Sequence, residues 1–194
     1  TVDYEAQLID LVRSEDRVMG LLRAVRSLGL DQWCIAAGTI RNLVWDHLHG
    51  LSEPTMPSDI DVLIFDAERA SPGYEQELEA QLQAIVPEVT WEVVNQSTIH
   101  TYTGDPTPYT SITDAMSRWA DLVTAVGAHL GEDDKITIIA PGGLNDLFEL
   151  RVRPNIATPT SAEVYRDRMA SKGWQQRWSR LTIEPATDGP PSEN

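Results

Sequence analysis

Two aspartates separated by one residue constrain this chain more than any other feature of its sequence. Asp59 and Asp61 open an apolar run, and about twenty residues upstream the apolar run 33–37 ends at Gly38 and Thr39. Residues two apart on a strand point the same way, so the pair places two carboxylates side by side at one sheet edge. Mg²⁺ is usually held by one or two carboxylates together with substrate phosphates. The pattern predicts a divalent-metal site beside a turn that receives the phosphates of a nucleotide.

A third carboxylate and a helix start extend this prediction. Glu92 lies in a second strand-like run over 89–94, where it either joins the metal site or faces solvent at the strand edge. Thr39 is predicted to cap a helix over 40–49, which places free backbone N–H groups and the positive end of the helix dipole beside Gly38. These features favour an acidic metal site that faces a phosphate-binding turn.

A Gly-Thr turn, then an Asp-x-Asp strand, then an acidic residue on a later strand resembles the signature of the nucleotidyltransferase superfamily that includes DNA polymerase beta. The chain is more closely similar to one bacterial branch, a nucleotidyltransferase-like family once classed as a domain of unknown function. The resemblance extends over roughly residues 30–178. The stretches that carry it are 38–42, 44–46, 59–62, 91–96 with His100, 114–119, 143–148 and 152–154.

The resemblance implies an α+β fold, a single domain in which a nucleotidyltransferase-type mixed β-sheet is flanked by helices. It implies that Mg²⁺ or Mn²⁺ assists the transfer of a nucleoside monophosphate from an NTP to a hydroxyl group. Under this interpretation Asp59, Asp61 and Glu92 are the metal-binding and catalytic residues. The cofactor-binding residues implied in the same way are Gly38, Thr39, Arg41, Asn42, Asn95 and Arg118.

Three of these residues have a structural alternative. Arg41 can pair with Asp46 on the same helix instead of binding phosphate. Arg118 can brace the fold by pairing with Asp114 at the i,i+4 spacing. Asn95 can be a turn residue at the end of its strand. The sequence leaves each of these alternatives open.

The chain departs from the family pattern in three places. The superfamily turn is most often Gly-Gly or Gly-Ser, whereas Gly38-Thr39 keeps a hydroxyl that can reach a phosphate oxygen. The loop 50–58 is an insertion and is expected to shape the substrate pocket. Val94 and Asn95 occupy the region where a basic residue often follows the third acidic position, so no lysine is assigned to the triphosphate.

The charge of the chain narrows the choice of acceptor. Thirty acidic residues against fifteen basic ones give a formal net charge of −15. Because gripping a nucleic-acid backbone depends on Lys and Arg, long DNA or RNA is an unlikely partner and a small-molecule acceptor is favoured. Two alternatives stay open: a catalytically silent nucleotide-binding or interaction module, and a toxin-like enzyme that modifies RNA ends or proteins. The RNA alternative needs a basic face beside Gly38, for which the candidates are Arg13, Arg17, Arg23 and Arg26.

Length and patterning predict one domain over 1–181 and a flexible tail over 182–194, in a chain of 194 residues that is 41% hydrophobic. No apolar run is long enough to span a membrane, and the first residues lack a signal-peptide pattern, so the expected location is the cytoplasm. Cys34 is predicted to be a buried strand residue. Periodicity predicts helices over 8–25 (one long or two broken), 40–49, 74–85, 111–119, 144–148 and 161–178, and strands over 33–37, 59–65, 89–94, 135–140 and 149–152.

Overall fold

The computed structural model describes residues 1–157 and 161–187. The chain begins with two helices, α1 (Tyr4–Ser14) and α2 (Asp16–Arg26). The Asp3 carboxylate caps α1 by accepting a hydrogen bond from the backbone N–H of Ala6. Glu15 has extended backbone angles and separates the helices, so the apolar pattern over 8–25 corresponds to two helices rather than one.

Five strands form the central sheet in the order β3-β2-β1-β4-β5. Strands β2 and β3 are parallel and the other neighbours are antiparallel, which confirms the predicted mixed sheet. The strands are β1 (Trp33–Ala36), β2 (Ile60–Ile64), β3 (Trp91–Asn95), β4 (Gly127–Leu130) and β5 (Ile136–Ile139).

The sequence prediction missed β4. Its residues, Gly-Ala-His-Leu, have little intrinsic preference for a strand, so only pairing with neighbours identifies it. The glycine at its start is required by the packing, because a Cβ at Gly127 would lie 2.8 Å from the Cys34 sulfur. Cys34 itself is fully buried, as expected, and burial raises the pKa of its thiol to about 12.

The helices between the strands follow the predicted alternation. Helix α3 (Gly38–Leu48) connects β1 to β2, and α4 (Pro72–Ile85) is the crossover that joins the parallel strands β2 and β3. The short helix α5 (His100–Thr103) lies in a stretch for which neither a helix nor a strand was predicted. Two more short helices follow, α6 (Ile112–Met116) and α7 (Asn145–Phe148).

The C-terminal part of the chain folds back along α3. The helix predicted over 161–178 is interrupted at Gly173, whose φ of 59° separates α8 (Ser161–Lys172) from α9 (Trp174–Arg177). The tail predicted over 182–194 begins with paired residues, because β7 (Thr182–Ile183) forms a parallel pair with β6 (Arg151–Val152). Residues 188–194 lie outside the described residues.

The two faces of the sheet are covered differently. The larger core cluster takes in α1–α4 and the odd-numbered side chains of β1, with Ile35 fully buried. The opposite face carries a smaller cluster around Cys34, Ala36 and Leu63, covered in part by α6. Among the described residues, no helix is both long and apolar enough to cross a membrane. The face of the sheet with the smaller cluster carries the candidate site.

Candidate functional site

The carboxylates predicted to bind metal lie on neighbouring strands. Asp61 pairs in register with Glu92 across the parallel β2–β3 pair, and with Ala36 on the other side. Paired residues project from the same face of a sheet, so the Asp61 and Glu92 carboxylates lie side by side on the less covered face. Glu92 is exposed and Asp61 is partly buried. Glu92 therefore does not point into the core, and Asp59 precedes the pair at the start of β2.

The electrostatics of this group match a site built for a cation. Burial, followed by the charges of Glu92 and Asp59, raises the pKa of Asp61 to about 6. Burial and the charge of Asp59 also raise the pKa of Glu92. Burial is the larger cause of the shift at Asp61, and repulsion between the carboxylates adds to it. Arg41 and Lys172 act in the opposite direction on Asp61, and they offset only part of the repulsion.

Carboxylate oxygens at a crowded sheet edge are the donors that a hard divalent cation prefers. In the described parts of the chain, no group of three or more His, Cys, Asp or Glu side chains is close enough together to hold a metal ion. The donor chemistry thus fits Mg²⁺ or Mn²⁺ held by two carboxylates together with substrate phosphates. A complete three-carboxylate metal site stays a prediction.

The turn beside the carboxylates differs in detail from its predicted form. Helix α3 begins at Gly38, so Thr39 lies inside the first turn of the helix. The predicted Thr39 cap is therefore wrong. The residue at the cap position is Ala37, with φ of 59° and ψ of −131°. The Thr39 side chain is only 1% exposed, and its hydroxyl has no hydrogen-bond partner among the described residues. An orphaned hydroxyl at this point is consistent with a hydroxyl reserved for a ligand oxygen.

The insertion loop lies directly over this turn. A Cβ built on Gly38 would approach the Cβ of Pro57 to 3.0 Å, so a larger residue does not fit there without moving the loop. The same position is 3.4 Å from Nη2 of Arg41 and 3.7 Å from Nδ2 of Asn42. Two of the side chains predicted to bind the nucleotide, those of Arg41 and Asn42, therefore lie at Gly38. The loop also contacts the site through Asn42, whose Nδ2 donates to the Thr55 carbonyl at 3.2 Å.

We expect glycine at position 37 to stabilise the protein by about 1 kcal/mol, because positive φ is strained for Ala37 and natural for glycine. Chemical denaturation of Ala37→Gly measures the effect. The matched control is Ala36→Gly, which places glycine in an ordinary strand conformation and is expected to lose about 1 kcal/mol. Equal losses for both variants would contradict the strain at Ala37.

Arg41 is buried at the turn, and its partners are not those of a helix salt bridge. Its Nε and Nη2 donate to Oδ1 of Asn42 at 3.2 and 3.0 Å, and Nη1 donates to Oγ1 of Thr124 at 3.1 Å. Its guanidinium carbon lies 4.7 Å from the ring centre of Trp174 and 5.2 Å from that of Trp45. Burial lowers the pKa of Arg41 to about 10, so the group stays cationic at neutral pH.

The alternative partner for Arg41 has a different role. Asp46 accepts hydrogen bonds from the backbone N–H and hydroxyl of Thr55, both at 2.6 Å, and from Nε1 of Trp178 at 2.9 Å. It therefore fastens the insertion loop and the C-terminal segment to α3. Arg177 contributes to the same junction, donating to the Thr55 hydroxyl at 2.9 Å and to the Glu53 carbonyl at 3.2 Å.

Sequence reasoning missed three charged residues of this region. Arg168 donates from Nε to Oδ2 of Asp121 at 3.1 Å, and its guanidinium carbon lies 5.9 Å from the ring centre of Trp174. Lys172 follows one helical turn later on α8 and acts on the pKa of Asp61. The i,i+4 spacing of the two cations marks one face of α8, but no local signal places that face beside α3.

The structure places Asn95 apart from the carboxylates. It is in register with Ile64, at the opposite end of the parallel pair from Glu92. Its Oδ1 accepts from the Asp66 backbone N–H at 3.0 Å, and its Nδ2 donates to the Asp66 carbonyl at 2.8 Å. This is the turn role that the sequence left open, and a nucleotide contact for Asn95 stays a prediction.

Arg118 has the bracing contacts that were its structural alternative. It forms ion pairs with Asp105 at 3.1 Å and with Asp114, at the i,i+4 spacing, at 3.6 Å. Its guanidinium carbon also lies 5.6 Å from the ring centre of Tyr109, against which His100 packs. A phosphate contact for Arg118 stays a prediction.

Two of the arginines predicted to form a basic face, Arg13 and Arg26, lie away from the turn. Arg26 pairs with Asp134 at 2.6 Å, and Arg13 donates to the Asp134 carbonyl at 3.0 Å. Asp134 lies beyond the far end of β4, whereas the near end of β4, Gly127, pairs with Ala36 beside the turn. Arg13 and Arg26 therefore do not add positive charge near Gly38.

Comparison with known proteins adds to this geometry. A family model described as nucleotidyltransferase matches residues 23–183. No curated protein matches the chain. A solved structure described as revealing a CCA-adding enzyme head domain is 32% identical, with a TM-score of 0.81, and the match covers 93% of this chain and 95% of the other.

More distant similarities concern larger proteins. A CCA-adding enzyme in complex with CTP is 14% identical with a TM-score of 0.60, and the match covers 94% of this chain and 43% of the enzyme. A tRNA nucleotidyltransferase with a primer tRNA and an incoming ATP analogue is 18% identical with a TM-score of 0.52, over 86% and 47%. At these identities the likeness concerns the fold alone. The chain spans less than half the length of these two enzymes.

Proposed function

Because this chain belongs to the nucleotidyltransferase family, with the DNA polymerase beta-type fold, we propose that it transfers a nucleoside monophosphate from an NTP to an acceptor hydroxyl. The observation that carries the proposal is the pairing of Asp61 with Glu92 on the open face of the sheet, with Asp59 adjoining them and the Gly38 turn at the end of the neighbouring strand. Oxygen donors next to an anion-binding helix start are the two halves of a nucleotidyl-transfer site.

In the proposed reaction Asp59 and Asp61 would hold Mg²⁺ or Mn²⁺, and Glu92 would complete the site. A cation held there would neutralise charge on the phosphates and so favour departure of pyrophosphate. Glu92 accepts the hydrogen bond of the acceptor hydroxyl, orients its oxygen in line with the α-phosphorus and receives the hydroxyl proton. A new oxygen–phosphorus bond forms as the bond to the β-phosphate oxygen breaks.

The turn supplies the phosphate contacts of the proposed site. The backbone N–H groups at the start of α3 and the unpaired hydroxyl of Thr39 bind phosphate oxygens. Arg41 provides a fixed cation beside Gly38, and Asn42 holds that cation in place. These roles agree with the predicted cofactor-binding positions on α3.

A small molecule is the proposed acceptor, since a net charge of −15 disfavours a long nucleic-acid backbone. An RNA 3′ end is the second candidate, favoured by the 32% identical structure described as a CCA-adding enzyme head domain. The placement of Arg13 and Arg26 away from the turn weakens the RNA candidate, because those side chains then cannot form a basic face beside Gly38.

The decisive experiment incubates the protein with each of the four NTPs and Mg²⁺ or Mn²⁺, measuring nucleotide binding and pyrophosphate release. We expect metal-dependent binding that the double variant Asp59→Ala, Asp61→Ala abolishes. The matched control, Glu77→Ala with Glu132→Ala, removes two exposed acidic residues and is expected to behave as the native chain.

The outcomes separate the candidate functions. Pyrophosphate release that rises only when a tRNA lacking its 3′ end is added would favour the RNA acceptor over a small molecule. Binding without turnover, whatever the metal and acceptor, would instead identify a silent nucleotide-binding module. No binding of any NTP would contradict the proposal.

A further inference from the structure

The buried carboxylate of Asp121 plays no part in the proposed chemistry, but its hydrogen bonds connect it to the turn at Gly38. Asp121 is 1% exposed. Its Oδ1 accepts from the Thr124 backbone N–H at 3.0 Å, and its Oδ2 accepts from Nε of Arg168 at 3.1 Å. The backbone next to it is fixed by Asn155, whose N–H donates to the Ala120 carbonyl at 2.7 Å. A carboxylate is rarely buried to this extent unless it is paired, and here its partners lead toward the site.

Those partners connect Asp121 to two positively charged side chains. Through Thr124, whose hydroxyl accepts from Nη1 of Arg41 at 3.1 Å, Asp121 is connected to the guanidinium that faces Gly38. Through Arg168 it is connected to a second guanidinium, and both guanidinium groups lie against the indole of Trp174. The Asp121 carboxylate and the Trp174 ring thus hold the positive charges of Arg41 and Arg168 close together.

The buried guanidinium of Arg41 and the partly buried guanidinium of Arg168 repel each other at one ring, so their arrangement needs a counter-charge. The charge of Arg168 lowers the pKa of Arg41, and the charge of Asp121 raises it. Asp121 therefore keeps the pair in place without competing for the face of Arg41 that is directed toward Gly38. Thr124 adds direction, because a hydroxyl anchored by its backbone N–H fixes one edge of a planar guanidinium.

We infer that Asp121 is a positioning residue of the nucleotide site, which holds Arg41 through Thr124 and Arg168 directly so that the Arg41 guanidinium stands beside Gly38. This inference rests on the proposed function. A positioning role and a purely electrostatic role for Asp121 predict opposite changes in nucleotide affinity. A carboxylate near a phosphate site repels phosphate, so an effect of charge alone predicts tighter nucleotide binding when Asp121 is neutralised. A positioning role predicts weaker binding.

The test measures the affinity of the full chain for each of the four NTPs with Mg²⁺, comparing the native protein with Asp121→Asn. The asparagine keeps the shape but cannot accept from both donors, and we expect the Kd to rise about tenfold. The KM is expected to rise more than kcat falls. The matched control is Asp146→Asn, which neutralises a partly buried aspartate that accepts from Nε and Nη2 of Arg153, both at 2.9 Å, and is expected to leave the Kd unchanged.

A second variant protects the test against loss of folding. Thr124→Val removes only the hydroxyl that accepts from Arg41 and leaves the Asp121–Arg168 pair intact. Its Kd is expected to rise about threefold, and the double variant is expected to be less impaired than the product of the two single effects. Unchanged or tighter binding by a folded Asp121→Asn chain, or by Thr124→Val if the first variant does not fold, would overturn the inference. If the native chain binds no NTP, the proposed function itself fails. If the native chain binds an NTP and the folded variant binds it equally well or more tightly, only the inference about Asp121 fails.

Discussion

Asparagine at position 61 is expected to lower the rate of nucleotidyl transfer by about 10²–10³-fold while making the protein more stable at neutral pH. The loss of rate follows from the proposed role of Asp61 as a metal ligand, because an amide carries no charge to hold a divalent cation. The gain in stability is expected because the Asp61 carboxylate is partly buried and is repelled by the carboxylates of Glu92 and Asp59. A residue that costs stability and supports activity is typical of a functional site.

The stability effect has a defined dependence on pH. The pKa of Asp61 is raised from 3.8 to about 6, so between these values the folded state holds a proton that the unfolded state releases. Stability from this group therefore falls as the pH rises through about 4 to 6, and the ionised carboxylate costs about 2–3 kcal/mol above that window. Asp61→Asn should exceed the native free energy of unfolding by about this amount at pH 7 and match it near pH 3.

Urea denaturation of the native and Asp61→Asn proteins from pH 3 to pH 7 measures this difference. The control is Asp134→Asn, at an exposed aspartate whose pKa is lowered by its hydrogen bond to Arg26. Because a lowered pKa stabilises the fold above the unfolded value, that substitution should lower stability at neutral pH. A destabilised Asp61→Asn protein at pH 7 would show that the carboxylate is compensated in the fold.

Truncation of Trp178 is expected to cause the largest loss of stability, about 3–5 kcal/mol for Trp178→Ala. The ring is 3% exposed, its centre lies 5.0 Å from that of Trp45, and its Nε1 donates to Asp46. Removing it leaves a cavity between α3 and the C-terminal segment and takes one hydrogen-bond donor from the buried Asp46 carboxylate, which keeps its bonds from Thr55. Chemical denaturation measures the loss, and Trp178→Phe, which keeps an aromatic ring but not the donor, should lose less.

The comparison residue for this prediction is Trp119, which is only partly buried and packs on the smaller cluster. Trp119→Ala should cost less than Trp178→Ala. If the order were reversed, the junction between α3 and the C-terminal segment would contribute little to the fold. Nucleotide affinity should fall together with stability in Trp178→Ala, because Asp46 also anchors the loop that covers Gly38.

What the sequence predicted well depends on local pattern. Strands β1, β2 and β3 and helices α1 to α4 follow from periodicity within short stretches. A shared site for Asp61 and Glu92 was implied by the family resemblance, and the register of β2 and β3 places the two residues side by side. The family motif added the identity of the turn at Gly38.

What the sequence could not predict depends on contacts between distant parts of the chain. Strand β4 is defined by its neighbours rather than by its own residues, and Asp121 and Arg168 gain a role only because α8 returns to α3. The Thr39 cap was wrong for a local reason, since the preceding residue Ala37 adopts positive φ and lets α3 start at Gly38. The burial of Asp61, which is the larger cause of its raised pKa, also depends on contacts between distant parts of the chain.

The junction between α3 and the C-terminal segment also has a consequence for the order in which the protein is made. Asp46 and Trp178 are separated by 132 residues, and Arg177 reaches the insertion loop from a similar distance. A ribosome therefore completes the turn and all three carboxylates long before it completes the residues that support them. The newly made chain holds the chemical groups of the site early, but the site acquires its final shape only when the residues around Trp178 have emerged.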